Sequence, residues 1–360
     1  MRVFRRAAAL FLCVCVLCFV ARSGLLDRFG QGKSAAGAAY FSAMLAMPEG
    51  VSAVMAMEAD EDGEPYIPDP QIMEDSGFIS QPSDSASAPI TANPEDAVGR
   101  ILSKFISPYT AGLHWNKIYV RNLTSKDIDL EEEMSQQLSW SPEINGQPEV
   151  LIVHTHATES YMPEDRDFYT AADPTHSEDP SQNVIRVGEA IASQLTAAGV
   201  GVLHDKTLHD QESYTGSYSR SAQTVNQYLE KYPTIKVVLD VHRDSVSSGE
   251  NDKVKPVVEI DGRQSAQIML VVGCEDGNVT DFPRWRENFR LAIRMQQTCE
   301  ELYPGLARPM YFAPKKYNQN LSPGAMLFEM GTEANTLDEA VYAGELAGKA
   351  LAQVLLSLKK

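Results

Sequence analysis

The sequence predicts an α/β protein: a mostly parallel sheet flanked by helices on both faces, preceded by an N-terminal membrane segment and a disordered tether. Three observations lead there. Val150-Leu151-Ile152-Val153, Val237-Val238-Leu239 and Ala325-Met326-Leu327-Phe328 are short unbroken apolar runs, the pattern of central strands buried on both faces. Between the first two, Val184, Val187, Ile191 and Leu195 recur at the spacing of one helix face. Each run also ends in side chains that can ionise or bind a metal, and α/β proteins build sites at the carboxyl ends of parallel strands.

Taken in order, residues 1–26 read as a membrane anchor or signal segment. Ala7 to Ala21 is a continuous small-or-apolar run behind Arg2, Arg5 and Arg6. That run alone reaches about 22 Å as a helix, short of a bilayer core of roughly 30 Å. Carrying it past Arg22 to Leu26 lengthens it to about 20 residues, with Arg22 snorkelling to the interface. Phe19-Val20-Ala21 is a poor small-x-small cleavage site, which favours an uncleaved single anchor with everything after it outside. Residues 27–95 form a disordered acidic linker, since stretches such as Glu58-Ala59-Asp60-Glu61-Asp62 hold too little apolar surface to offset chain ordering. Residues 96–147 are a small accessory region, with a short helix expected over Asp96–Ile106, a strand over Ile118–Asn122 and a helix over Asp127–Leu138.

From 148 to 360 strands and helices alternate. After the strand ending at His154 comes the helix of Val184 to Leu195, stopped at Gly199. Val200–Leu203 is a strand, Ala222–Leu229 a helix, and Ile235–Val241 the strand that carries His242. Asp261-Gly262 marks a hairpin turn between Val257–Ile260 and Ile268–Val272. Arg286–Leu302 is helical up to Pro304-Gly305. The last helix starts at Thr336, where Thr336 and Glu339 spell a capping box, and runs to Leu358.

Composition excludes some functions. A formal charge of −18 over 360 residues argues against a nucleic-acid partner, because phosphate binding needs clustered Lys and Arg. Of five cysteines only Cys274 and Cys299 lie in the body, and no C-x-x-C occurs, so a thiolate zinc site or a disulfide framework is not expected.

The chemistry sits at the strand ends. His154, His156 and Glu159 follow the first apolar run, His242 and Asp244 close the second, and Glu329 closes the third. Two imidazoles and a carboxylate are what a catalytic zinc takes from a protein, and a further Glu is the usual base beside it. Either His154 or His156 can serve as the ligand, leaving the other for substrate or support. Asp240 or Asp244 can orient His242 through its second nitrogen. Glu329 is the candidate base, taking a proton from water and handing it to a leaving amine. His204-Asp205 and His209-Asp210 are read as groove-lining, and His176 as solvent-exposed. His242-Arg243-Asp244 also spells the kinase catalytic triplet, but position 249 is Gly where that motif needs Asn.

These residues resemble a known family. His154-Thr-His-Ala-Thr-Glu-Ser-Tyr161, Asn183-Val-Ile-Arg-Val-Gly188, Ser217-Tyr-Ser-Arg-Ser221, Asp240-Val-His-Arg-Asp244, Tyr303-Pro-Gly-Leu306, Tyr317-Asn-Gln-Asn-Leu-Ser-Pro-Gly-Ala325 and Asn335-Thr336 are similar, in order, to blocks of the stage II sporulation protein P family. The resemblance implies that 148–360 is an amidase-like catalytic domain and that the protein is a membrane-anchored wall hydrolase facing the space between mother cell and forespore. It implies a zinc-dependent N-acetylmuramoyl-L-alanine amidase that degrades peptidoglycan during engulfment, alongside the stage II proteins D and M. On it, Zn2+ is held by His154, Glu159 and His242, with Glu329 catalytic. His156, Arg243, Asp244 and Asn318 are expected to bind substrate or support the ligands. Related amidases carry their carboxylate ligand at the start of the first helix, where this chain has Asn183 and, nearby, Glu178; Glu159 is chosen because it belongs to the His154 block. A zinc endopeptidase cutting stem-peptide cross-links and a non-enzymatic anchored scaffold are the alternative expectations.

Overall fold

The computed structural model describes residues 92–359, which form two sheets and the helices packed on them. The expectations for residues 1–26 and for most of the linker fall outside the described residues. Among the described residues no helix is long and apolar enough to cross a membrane.

The larger sheet has eight strands. In spatial order they are β2 (Leu113–Trp115), β3 (Ile118–Asn122), β11 (Met310–Ala313), β10 (Ile268–Gly273), β12 (Gly324–Thr332), β7 (Val237–Asp244), β4 (Pro148–Val153) and β6 (Gly201–His204). The α/β class is as expected, but the sheet is mixed rather than mostly parallel. β2 runs antiparallel to β3, and β10 antiparallel to β12. The second reversal follows from the hairpin that precedes β10. Asp261 and Gly262, both at positive φ (52° and 74°), turn β8 (Asp252–Ile260) back into β9 (Arg263–Ala266), as a two-residue turn of this hand requires. The chain therefore enters β10 in the opposite sense. β8 and β9 belong to a smaller four-stranded sheet with β1 (Ala97–Lys104) and β5 (Phe168–Thr170), in the order β5-β1-β8-β9.

The helix expected at Asp96–Ile106 is thus strand β1. Gly99 is a poor helix residue, Val98 and Ile101 are β-branched, and β1 finds backbone partners on both sides, antiparallel in β5 and parallel in β8. The other expected helices are present as α1 (Leu130–Ser135, capped by Asp129), α2 (Val184–Ala197), α3 (Ser217–Lys231), α4 (Trp285–Leu302) and α5 (Leu337–Leu358). The Thr336/Glu339 capping box is formed at the start of α5.

Side-chain alternation divides the sheet faces. Val150, Ile152, Val237, Leu239, Met326 and Phe328 join one core with α2, α4 and α5. Leu151, Val153, Val238 and Ala325 face the other way, against Val225 and its neighbours on α3. Cys274 and Cys299 are buried and free.

The order β12-β7-β4-β6 positions the site. From β4 the chain crosses by α2 to β6 on one side, then returns by α3, on the opposite face, to β7 on the other side. The crossovers diverge between β4 and β7, and a crevice opens at the carboxyl ends of two strands from which connections leave in opposite directions.

Candidate active site

His242 stands at this crevice. Residues 240, 242 and 244 of β7 share the face turned to α3, as does Glu329 of β12, which lies directly beside His242 in the parallel ladder. The segment after β4 arrives from the other side, because Val153 is in register with Asp240. Thr155 fastens it there, its backbone N–H and hydroxyl both donating to the Asp240 carboxylate at 2.8 and 2.6 Å.

Three side chains meet around His242. Its Nδ1 is 3.5 Å from Glu159 Oε2, and its Nε2 is 2.9 Å from Asp240 Oδ1, off the line a hydrogen bond needs. The His156 ring meets the His242 ring edge-on, centroids 5.2 Å apart, and is covered on its face by Tyr214 at 4.1 Å, with Ser217 Oγ 3.4 Å from its Nδ1. Glu159 also accepts the backbone N–H of Arg243 at 3.0 Å. His156, Glu159 and His242 are all buried.

Charge follows from that burial. Burial alone would drive His242 neutral, but Asp240 and then Glu159 overcome it and hold the imidazole charged, well above its usual range. Burial would raise Glu159, yet His242, Arg243 and His156 bring it down to about 2. Burial and the His242 charge push His156 down to about 3. Glu329 moves the other way: burial, then Asp244 and Glu159, outweigh His242 and Arg308 and lift it to about 8. One of its oxygens, Oε2, is buried without a hydrogen-bond partner.

The structure turns His154 away from this group. Its Nδ1 donates to Val241 O at 2.8 Å and its Nε2 faces His204 Nε2 at 2.8 Å, so both ring nitrogens are occupied. Burial and the neighbouring imidazole push it down to about 3. Of the two histidines flanking Thr155, His156 is therefore the one brought face to edge with His242. Of the two aspartates flanking His242, Asp240 contacts its ring, whereas Asp244 pairs with Arg308 at 2.7 Å. Arg243 is itself buried, donating to Ser160 O and Thr175 O and so holding the segment after Glu159. Asn318 donates to Tyr218 O and Ser221 Oγ, anchoring the first turn of α3.

Asn183, weighed from the sequence as a position for the carboxylate ligand, caps α2 through Ile185 N. Glu178 is exposed and bonds Gln211. His209 is buried and bridges His154 O to Thr224, and Asp210 accepts from Thr158, so this pair braces the site from behind rather than lining a groove. His176 is exposed, as expected. Arg308 and the Thr155–Asp240 clasp were not anticipated; nothing in the spacing of Arg308 from Asp244 marks them as partners.

A divalent ion fits part of this donor set. Tetrahedral ligands at about 2.0–2.1 Å from zinc stand roughly 3.3 Å from one another, close to the 3.5 Å between His242 Nδ1 and Glu159 Oε2. Asp240 stands 2.9 Å behind the second nitrogen, where a small ring rotation would give the carboxylate support that metal-bound imidazoles use. Among the described residues, no three His, Cys, Asp or Glu side chains form a ready cluster for an ion, so His156 would have to close on the other two.

The sequence model described as Stage II sporulation protein P (SpoIIP) matches residues 116–355. The Stage II sporulation protein P of Bacillus subtilis (strain 168) is 26% identical over 254 residues, 67% of this chain and 60% of that relative. The chain thus spans about 60% of the length of the curated relative it matches. Among solved structures, the N-acetylmuramoyl-L-alanine amidase AmiC2 of Nostoc punctiforme is 12% identical with a TM-score of 0.31, over 58% of this chain and 96% of that one. The CwlD amidase from Clostridioides difficile in complex with the GerS lipoprotein is 13% identical with a TM-score of 0.34, over 59% and 100%.

Proposed function

The chain belongs to the stage II sporulation protein P family, and from that premise we propose that it is a zinc-dependent peptidoglycan hydrolase cleaving the N-acetylmuramoyl-L-alanine amide bond during engulfment. One observation carries the reading: the switch-point crevice gathers His156, Glu159, His242 and Glu329, with an imidazole nitrogen and a carboxylate oxygen 3.5 Å apart. In this reading His156, Glu159 and His242 hold the ion, and His154 supports the strand that carries His242.

When bound, zinc supplies Lewis acidity toward an amide carbonyl and acidifies a water. Asp240, clasped by Thr155, sits 2.9 Å from the His242 ring and holds it by charge. Glu329, half-buried with its Oε2 enclosed and unpartnered, takes the water proton and returns it to the departing amine. Burial and the neighbouring acids raise the Glu329 carboxyl; a cation held beside it would favour the ionised form that can accept that proton.

The same reading places the protein at the cell membrane through residues 1–26, with its body outside, acting on peptidoglycan beside the stage II proteins D and M. Its support is the basic residues and apolar run at the N-terminus and the family membership.

Metal analysis and product mass spectrometry test it. The purified protein should hold about one zinc per chain and release intact stem peptides from glycan strands, and His242→Ala should lose both. Cut cross-links with stems still on glycan would make it an endopeptidase. A metal-free protein without lytic activity would make it a scaffold.

A further inference from the structure

The long connection between β4 and α2, residues 154–183, carries His156 and Glu159, and a connection of that length without support would sample many arrangements. The support comes from β1, which lies N-terminal to the family-matched stretch and contributes none of the site's side chains. β1 pairs with β5, inside that connection, with Gly99 opposite Tyr169 and Arg100 opposite Phe168. Its other edge pairs with β8, immediately after the His242 strand, from Arg100–Asp252 to Lys104–Pro256. Ile101, 5% exposed, packs on Met162 and Ala334, and Met162 is itself bonded through its N–H to Asn335 O at 2.9 Å. Just beyond β1, Ile106 exchanges two hydrogen bonds with the buried side chain of Gln267, whose carbonyl accepts Gly331 N, two residues past Glu329.

A single strand therefore touches the neighbours of all three site-bearing segments, after β4, after β7 and at the end of β12. We infer that β1 is a positioning element for the hydrolytic site, with Ile101 and Gly99 as the residues through which it acts. Gly99 is required by close approach: a Cβ there would stand 2.0 Å from Asn251 O and 2.5 Å from the Tyr169 ring. The inference rests on the functional reading above only for its catalytic consequence. The ordering of the two loops is a physical claim that stands without it.

The test uses the full chain, comparing Ile101→Ala, Gly99→Val, the conservative Ile101→Val and the exposed control Val98→Thr. Hydrogen exchange is followed by segment, and stem-peptide release is resolved into kcat and KM. Ile101→Ala and Gly99→Val should speed exchange in residues 158–176 and 245–252 while β4 and β7 stay protected. They should lower kcat by about tenfold or more with KM changed less than about threefold, because misplacement affects the reacting geometry before it affects binding. Ile101→Val and Val98→Thr should behave like the parent. Unchanged exchange in those two segments overturns the inference, as does faster exchange with undiminished kcat. So does a loss of activity that only tracks the unfolded fraction. If the parent chain releases no stem peptide, that failure belongs to the functional reading, and exchange alone decides the role of β1.

Discussion

Glu329 and Lys255 are ionisable side chains held in opposite ways, one with an enclosed oxygen unpartnered and the other paired twice. Glu329 is half-buried, but its Oε2 is buried with no protein group to satisfy it, which is costly unless something else completes it. Glu329→Gln keeps the shape and removes the base proposed above. Peptide release should fall by about 10²–10⁴-fold with zinc content unchanged, and retained activity would remove Glu329 from the chemistry. Lys255, 2% exposed, has every reason to be structural: its ammonium meets Asp165 at 2.6 Å and Glu339 at 3.0 Å. Lys255→Met leaves Glu339 buried without its cation, so unfolding in denaturant should show a loss of about 3 kcal/mol. A loss well under 1 kcal/mol would mean that the N-terminal turn of α5 satisfies Glu339 alone. The candidate residues stood out in the sequence as polar groups at the ends of buried strands. Which imidazole turned inward was not legible there. Past Val153 the chain leaves the strand, the period-two rule lapses, and the Thr155–Asp240 clasp sets the direction of both histidines.

At the scale of elements, local rules worked where an element carries its own stop and start. Thr336 and Glu339 close a capping box on α5, and Glu339 Oε2 also takes the side-chain amide of Asn335. Thr336→Ala should cost about 1 kcal/mol in thermal or denaturant unfolding; an unchanged midpoint would show that α5 is held by packing alone. α5 lies close on α2, where Gly344 approaches Val187 O so that a Cβ would stand 3.0 Å from it. The hairpin turn at Asp261-Gly262 was equally legible, but its returning strand is β9, and β10 goes on into the large sheet. β1 was misread because its strand character comes from two partners distant in sequence, β5 and β8, rather than from a pattern of its own.

At the scale of the whole molecule, the site exists because β4 and β7 are neighbours with crossovers on opposite faces. An ion binding only the assembled crevice must stabilise the fold. Zinc at about one hundred times its dissociation constant should add about 2.7 kcal/mol, seen as a rise in thermal midpoint that chelation reverses and His242→Ala abolishes. No rise would sink the metal-holding role of the crevice. The sequence by itself determined the α/β class, the helices that follow its apolar periodicity and the short roster of groups that can do chemistry, because burial and periodicity act over a few residues. Only the tertiary structure decided that the sheet is mixed, that His156 rather than His154 meets His242, that Asp240 and not Asp244 stands behind it, and that β1 braces the loops around them. Those outcomes depend on register between strands tens of residues apart, which no local pattern encodes.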